Sequence, residues 1–150
     1  MSDKSDIFYE LYEKLFHSDL KLSKKKIILR SLFTGENWSW RIVGISKKTF
    51  ELCKQNDFKK VSKKFERHHF IPFAETAKIM FENSLLTKVQ WWKKIDENEK
   101  THLICKDEHK KGSSYRFFEI KDENLFANKN IGWEHGLEEQ RFLRGIDQTR

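Results

Sequence analysis

The chain predicts an α+β fold, in which amphipathic helices and short strands follow one another within one domain spanning residues 1–150. Three observations carry this. Apolar residues recur at helical spacing near the N-terminus and again after Pro72. Short stretches around residues 38–44, 65–69, 101–105 and 115–121 read as strands instead. No internal repeat, low-complexity tract or Pro/Gly-rich linker interrupts the chain.

From the N-terminus, Ile7, Phe8, Leu11, Tyr12, Leu15 and Phe16 form one face of a helix over Asp6–Phe16, with Ser5 or Asp6 as its cap. Ser23–Phe33 predicts a second helix that Gly35 stops. Trp38–Gly44 alternates as a strand, and a helix follows over Ser46–Asn56. A strand beginning near Lys64 or Phe65 ends at His68 and His69, and Pro72 closes it. Ala74, Ala77, Ile79, Met80 and Phe81 set a helix over Phe73–Leu86, and Val89–Ile95 continues as a helix holding Trp91 and Trp92. Asp96–Glu99 reads as a turn, Thr101–Cys105 as a strand, and Lys106–Lys111 as a helix ended by Gly112. Tyr115–Lys121 is a further strand, and Gly132, Gly136 and scattered charges predict an irregular, frayed end. Residues 1–60 are then the N-terminal helices and strand, 61–115 the functional core, and 116–150 a strand and tail.

A hydrophobic fraction of 37% beside 35% charged residues describes a soluble chain with a heavily charged surface. Thirteen Phe and five Trp supply the bulk for a core, to which Trp38, Trp40, Trp91 and Trp92 are assigned. No apolar run has the length of a membrane span, and the first residues lack the pattern of a signal peptide. Two cysteines, Cys53 and Cys105, cannot build a disulfide framework, so the expected compartment is the cytoplasm. Net charge is +7, and Lys59, Lys60, Lys63, Lys64 and Arg67 crowd into ten residues against Glu66 alone. Such a run suits a polyanion backbone, with a solvated face as the plain alternative.

That run leads into Arg67-His68-His69-Phe70-Ile71-Pro72, and downstream lie Asn98 and Leu103-Ile104-Cys105-Lys106-Asp107-Glu108-His109. These segments resemble the HNH nucleases of the ββα-metal superfamily, over about 45 of the 150 residues. The family's motif is a strand ending in Asp-His or His-His, an Ile/Val-x-Pro-like segment, an Asn before a second strand, and a His on the following helix. The resemblance implies a ββα-metal core (strand, helical insert, strand, helix) in which His69 is the general base and His68 and His109 hold a divalent metal. Asn98 would orient the base, and Glu108 is an alternative or additional ligand. The metal implied is Mg²⁺, with Mn²⁺ as its substitute, and the substrate double-stranded DNA cut at phosphodiester bonds. A neutral imidazole suits proton abstraction near pH 7. Successive strand residues point to opposite faces, so bringing His68 and His69 to one site requires a bulge or a strand end. Lys106, Lys110 and Lys111 join the basic run as expected DNA contacts, and a homodimer on a palindromic site follows by analogy with restriction enzymes.

Competing readings remain. The histidines are structural, or Cys105 and His109 join His68 or His69 around zinc, in a nucleic-acid-binding module without catalysis. Alternatively, the basic surface serves protein contacts. His102 is expected to be a satisfied or exposed strand neighbour and Cys105 a small core residue, while His17 and His135 carry no signal.

Overall fold

A computed structural model describes residues 3–61, 63–109, 114–129 and 132–149. In chain order the elements are α1 (Lys4–His17), α2 (Leu22–Phe33), β1 (Arg41–Ser46), α3 (Lys47–Gln55), β2 (Phe65–His69), α4 (Phe73–Phe81), α5 (Lys88–Asn98) and β3 (Lys100–Cys105). A single 3₁₀ turn over Lys106–Glu108 follows, then β4 (Phe117–Glu119), β5 (Asn128–Lys129), β6 (Gly132–Trp133) and α6 (Leu137–Gln148). The fold is α+β, and it divides into a helical unit (residues 1–36 and 71–99) and a sheet unit (37–70 and 100–150). Among the described residues no helix is long and apolar enough to cross a membrane.

The helical unit packs the apolar faces of α1, α2, α4 and α5 around Trp91. That indole stacks on Tyr12 at 5.2 Å between ring centroids and meets Phe33 at 6.3 Å. The Tyr12 hydroxyl donates to the Met80 carbonyl at 2.8 Å and accepts from the Leu86 N–H at 3.2 Å, so burying it leaves no polar group unsatisfied. Thr87 and Gln90 form a reciprocal cap that starts α5. Arg30 lies over the Phe73 ring at 3.7 Å and pairs with the buried Glu99 at 3.2 Å.

In the sheet unit the strand order is β2-β3-β1-β4. β1 runs parallel to β3, while β2 pairs antiparallel with β3 and β4 antiparallel with β1. One sheet face contributes Ile42, Ile45, Phe65, Leu103 and Cys105 to a core closed by Phe50 and Cys53 of α3 and Leu143 of α6. Ser46 caps α3, its hydroxyl accepting from the Thr49 N–H at 3.1 Å.

Five sequence expectations are corrected. The first strand begins at Arg41 rather than Trp38, because Trp40 sits in the left-handed region (φ 56°) and turns the chain into it. The helix from Phe73 ends at Phe81 instead of Leu86, and residues 96–98 belong to α5 instead of a turn. His109 follows a 3₁₀ turn rather than riding on an α-helix. The Glu108 carboxylate reaches back to the Cys105 N–H at 2.8 Å and to the Ser46 hydroxyl at 2.7 Å, closing one tight turn. The rest of that expected helix, including Lys110, Lys111 and the Gly112 stop, lies outside the described residues. The C-terminal stretch is ordered as β5, β6 and α6, whose start is fixed by the Glu139 carboxylate accepting the Gly136 N–H at 2.7 Å.

Candidate active site

β2 and β3 keep a regular antiparallel register, with Arg67 opposite Leu103, His68 opposite His102 and His69 opposite Thr101. No bulge interrupts residues 65–69, so side chains alternate strictly between faces. Phe65, Arg67 and His69 take the core side. Arg67 donates to the Asn128 side-chain oxygen at 2.7 Å and lies 5.2 Å over the Trp40 ring. The His69 ring packs against Trp40, 3.9 Å between centroids. Glu66 and His68 take the other face.

On that other face two of the expected ligands meet. The His68 and His109 rings are 4.6 Å apart and nearly perpendicular, at 74°. The Glu66 carboxylate hydrogen-bonds His109 Nδ1. A carboxylate on Nδ1 fixes the ring and leaves Nε2 as the nitrogen for a ligand, the arrangement that accompanies metal-bound imidazoles. Burial, and then the neighbouring His109, hold His68 below the usual histidine range, so its imidazole is neutral and able to ligate at pH 7. The donor set therefore fits a divalent cation held by two imidazoles. Among the described residues no group of three or more His, Cys, Asp or Glu converges on one point.

His102, which the sequence offers only as a strand neighbour, is the centre of this face. It is 5% exposed, and its Nδ1 lies 3.0 Å from the Tyr115 hydroxyl. Phe70 and Phe117 flank the ring, each at 4.1 Å between centroids. The ring lies across β1 where that strand has no side chain: a Cβ on Gly44 would stand 2.6 Å from the imidazole. Burial, and then His68, push the His102 pKa down to about 4, and burial pushes Tyr115 up to about 12.

Two predictions follow from this packing. Gly44→Ala should destabilise the protein by about 1–3 kcal/mol, because the imidazole is wedged between two rings and cannot yield cheaply. Gly145→Ala, in α6 where a Cβ meets nothing within 4 Å, should instead stabilise by about 0.5–1 kcal/mol. Urea unfolding of both variants measures the contrast. The second concerns pH. Unfolded, His102 titrates near 6.5; folded, it titrates at about 4. Between those values the unfolded chain binds the extra proton, so stability is full above pH 6.5 and declines as pH falls toward 4, by about 3 kcal/mol at most. Denaturation midpoints in EDTA at pH 7 and 4.5 should show this loss in wild type and a smaller one in His102→Asn.

The remaining expected residues are dispersed. Asn98 belongs to the helical unit, where it is buried and donates to the Thr76 hydroxyl at 3.0 Å. Cys105 packs in the core with its thiol 3.4 Å from the Thr49 hydroxyl. Lys60 lies 4.2 Å over the Trp133 ring, and Lys59 is exposed. Lys63, Lys64 and Lys106 line one pocket of about 410 Å³ together with Lys48, whose ammonium pairs with Asp107. Glu66 and Tyr115 were not among the expected site residues. Glu66 had a signal, being two residues before His68 on a strand and hence on its face. The chain matches no family model, no curated protein and no solved structure.

Proposed function

We propose that the protein is a metal-dependent endonuclease of the HNH type that hydrolyses phosphodiester bonds of double-stranded DNA. In this reading it acts in the cytoplasm, as a homodimer on a specific sequence in the manner of restriction enzymes. The observation that carries the reading is the meeting of His68 and His109, distant in the chain, with Glu66 fixing the second ring. A divalent ion such as Mg²⁺ or Mn²⁺, when bound there, supplies positive charge against the phosphate oxygens. Lys48, Lys63, Lys64 and Lys106 gather excess positive charge in one pocket, suited to holding the DNA backbone in register. His69 remains the proposed proton acceptor. It lies on the opposite side of β2 from His68, packed on Trp40 with its Nε2 buried, so this role requires that nitrogen to be uncovered when the substrate binds.

The test is incubation of the purified protein with plasmid and phage DNA in Mg²⁺, Mn²⁺ or EDTA. Discrete fragments with metal and none in EDTA are expected. Intact DNA under every metal, together with a salt-sensitive gel shift, would replace the nuclease with a non-catalytic binding module.

A further inference from the structure

We infer that the open pocket beside His102 holds one unpaired nucleotide of the DNA substrate, its base packed on the exposed outer surfaces of Phe70 and Phe117, which cover the imidazole. The inference rests on the nuclease reading for its place in the reaction, but its binding chemistry stands apart from it. The pocket measures about 850 Å³, within the range that takes a small organic ligand. Phe70 is 44% exposed and Phe117 51%, so each ring keeps accessible surface that a ligand in the pocket can cover. Both point to a flat apolar partner, and nucleobases are such partners regardless of sequence.

Polar groups at the pocket match the rest of a nucleotide. Lys100 and Lys121 offer positive charge for phosphate. Glu119 offers a carboxylate acceptor for base or sugar donors. Arg41 is already paired with Glu123 at 2.9 Å, so the two lysines carry the attraction.

Position supplies the substrate class. His102 lies opposite His68 on the neighbouring strand, and Phe117 lies two strands beyond β3 in the order β3-β1-β4. Strands are spaced by about 4.8 Å, so the pocket begins about 5–10 Å from His68. That is one to three times the ~3.4 Å rise between stacked nucleotides of a strand. The nucleotide held there neighbours the cleaved bond, and it has left the duplex stack to reach a protein pocket.

The experiment uses the full chain in EDTA, where cleavage is off, and a short DNA strand carrying 2-aminopurine, alone or annealed to its complement. Wild type should bind the single strand more tightly than the duplex and change the fluorescence of the probe. Phe117→Leu keeps apolar bulk but loses the aromatic face, and it should weaken single-strand binding about 5- to 100-fold. Phe117→Trp should restore it, and duplex binding should stay constant across all three proteins. Matching circular dichroism spectra and thermal midpoints ensure that folded variants are compared, and Phe70→Leu repeats the test from the other wall. Equal single-strand affinity in wild type and both Leu variants, or an unresponsive probe, overturns the inference while leaving metal-dependent cleavage intact. Aromatic-dependent binding by a protein that cuts nothing supports the pocket and removes the nuclease reading instead.

Discussion

His68→Ala should reduce metal-dependent DNA cleavage by about 100-fold or more, with DNA affinity in EDTA nearly unchanged. Changing a group that merely orients a ligand typically costs 10–100-fold in metal affinity or activity, so deleting the ligand itself sets the higher expectation. His109→Ala should act alike, and the double variant should be little worse than either single one, because the proposed metal site needs both adjacent imidazoles. Glu66→Gln retains a hydrogen bond to His109 but not the charge. It should raise the metal concentration needed by about 10- to 100-fold, and excess metal should recover its activity. His69→Ala separates the roles, because loss of a general base lowers the rate by about 10²–10⁴ without altering the metal requirement. Metal titrations of the cleavage rate for the four single variants decide the matter. A His68→Ala protein that cuts like wild type at low metal would sink the imidazole pair as a metal site.

The largest stability effect is expected at Trp91. It is fully buried among Tyr9, Tyr12, Phe33 and Trp92. Trp91→Ala should cost about 3–5 kcal/mol. Against a total stability of about 5–15 kcal/mol, that is a large share of what holds the fold. Trp91→Phe should cost far less, about 1–2 kcal/mol. It keeps the ring against Tyr12 and removes an indole N–H that has no hydrogen-bond partner among the described residues. Guanidinium unfolding followed by far-UV circular dichroism measures both.

The fold was readable where periodicity is strong and local. α1, α2, α3, β2 and β3 lie within a few residues of their sequence bounds, since their apolar faces and the stop signals at Gly35 and Pro72 act through nearest neighbours. The failures share a different cause. Trp38 and Trp40 alternate like strand residues, but the chain turns there to seat Trp40 against Arg67 and His69, contacts that no local pattern announces. α6 carries Phe142, Leu143 and Ile146 at helical spacing, yet Gly132, Gly136 and the scattered charges pointed to irregular structure. At the site, the meeting of His68 and His109 was anticipated from the resemblance, and the separation of His69 follows from the unbroken register of β2. The surroundings of His102 were not legible because they come from three separate segments, at Gly44, at Phe70, and at Tyr115 and Phe117. The burial of Asn98 against Thr76 is likewise a tertiary fact that no local pattern announces.

The position of β3 within the sheet has a consequence for synthesis on the ribosome. β1 and β2 emerge first, but neither pairs with the other; both wait for β3, which lies between them and is made last of the three. Residues 70–100 intervene between His69 and its partner Thr101, and they include α4 and α5 of the helical unit. All segments of that unit have therefore been made before the central strand appears. Until then the growing chain carries two strands with open edges, a state prone to pairing with other chains. The long-range pairings β3 must make favour slow closure of the sheet, so the yield of native protein should depend on chaperone supply and on the translation rate across residues 71–105.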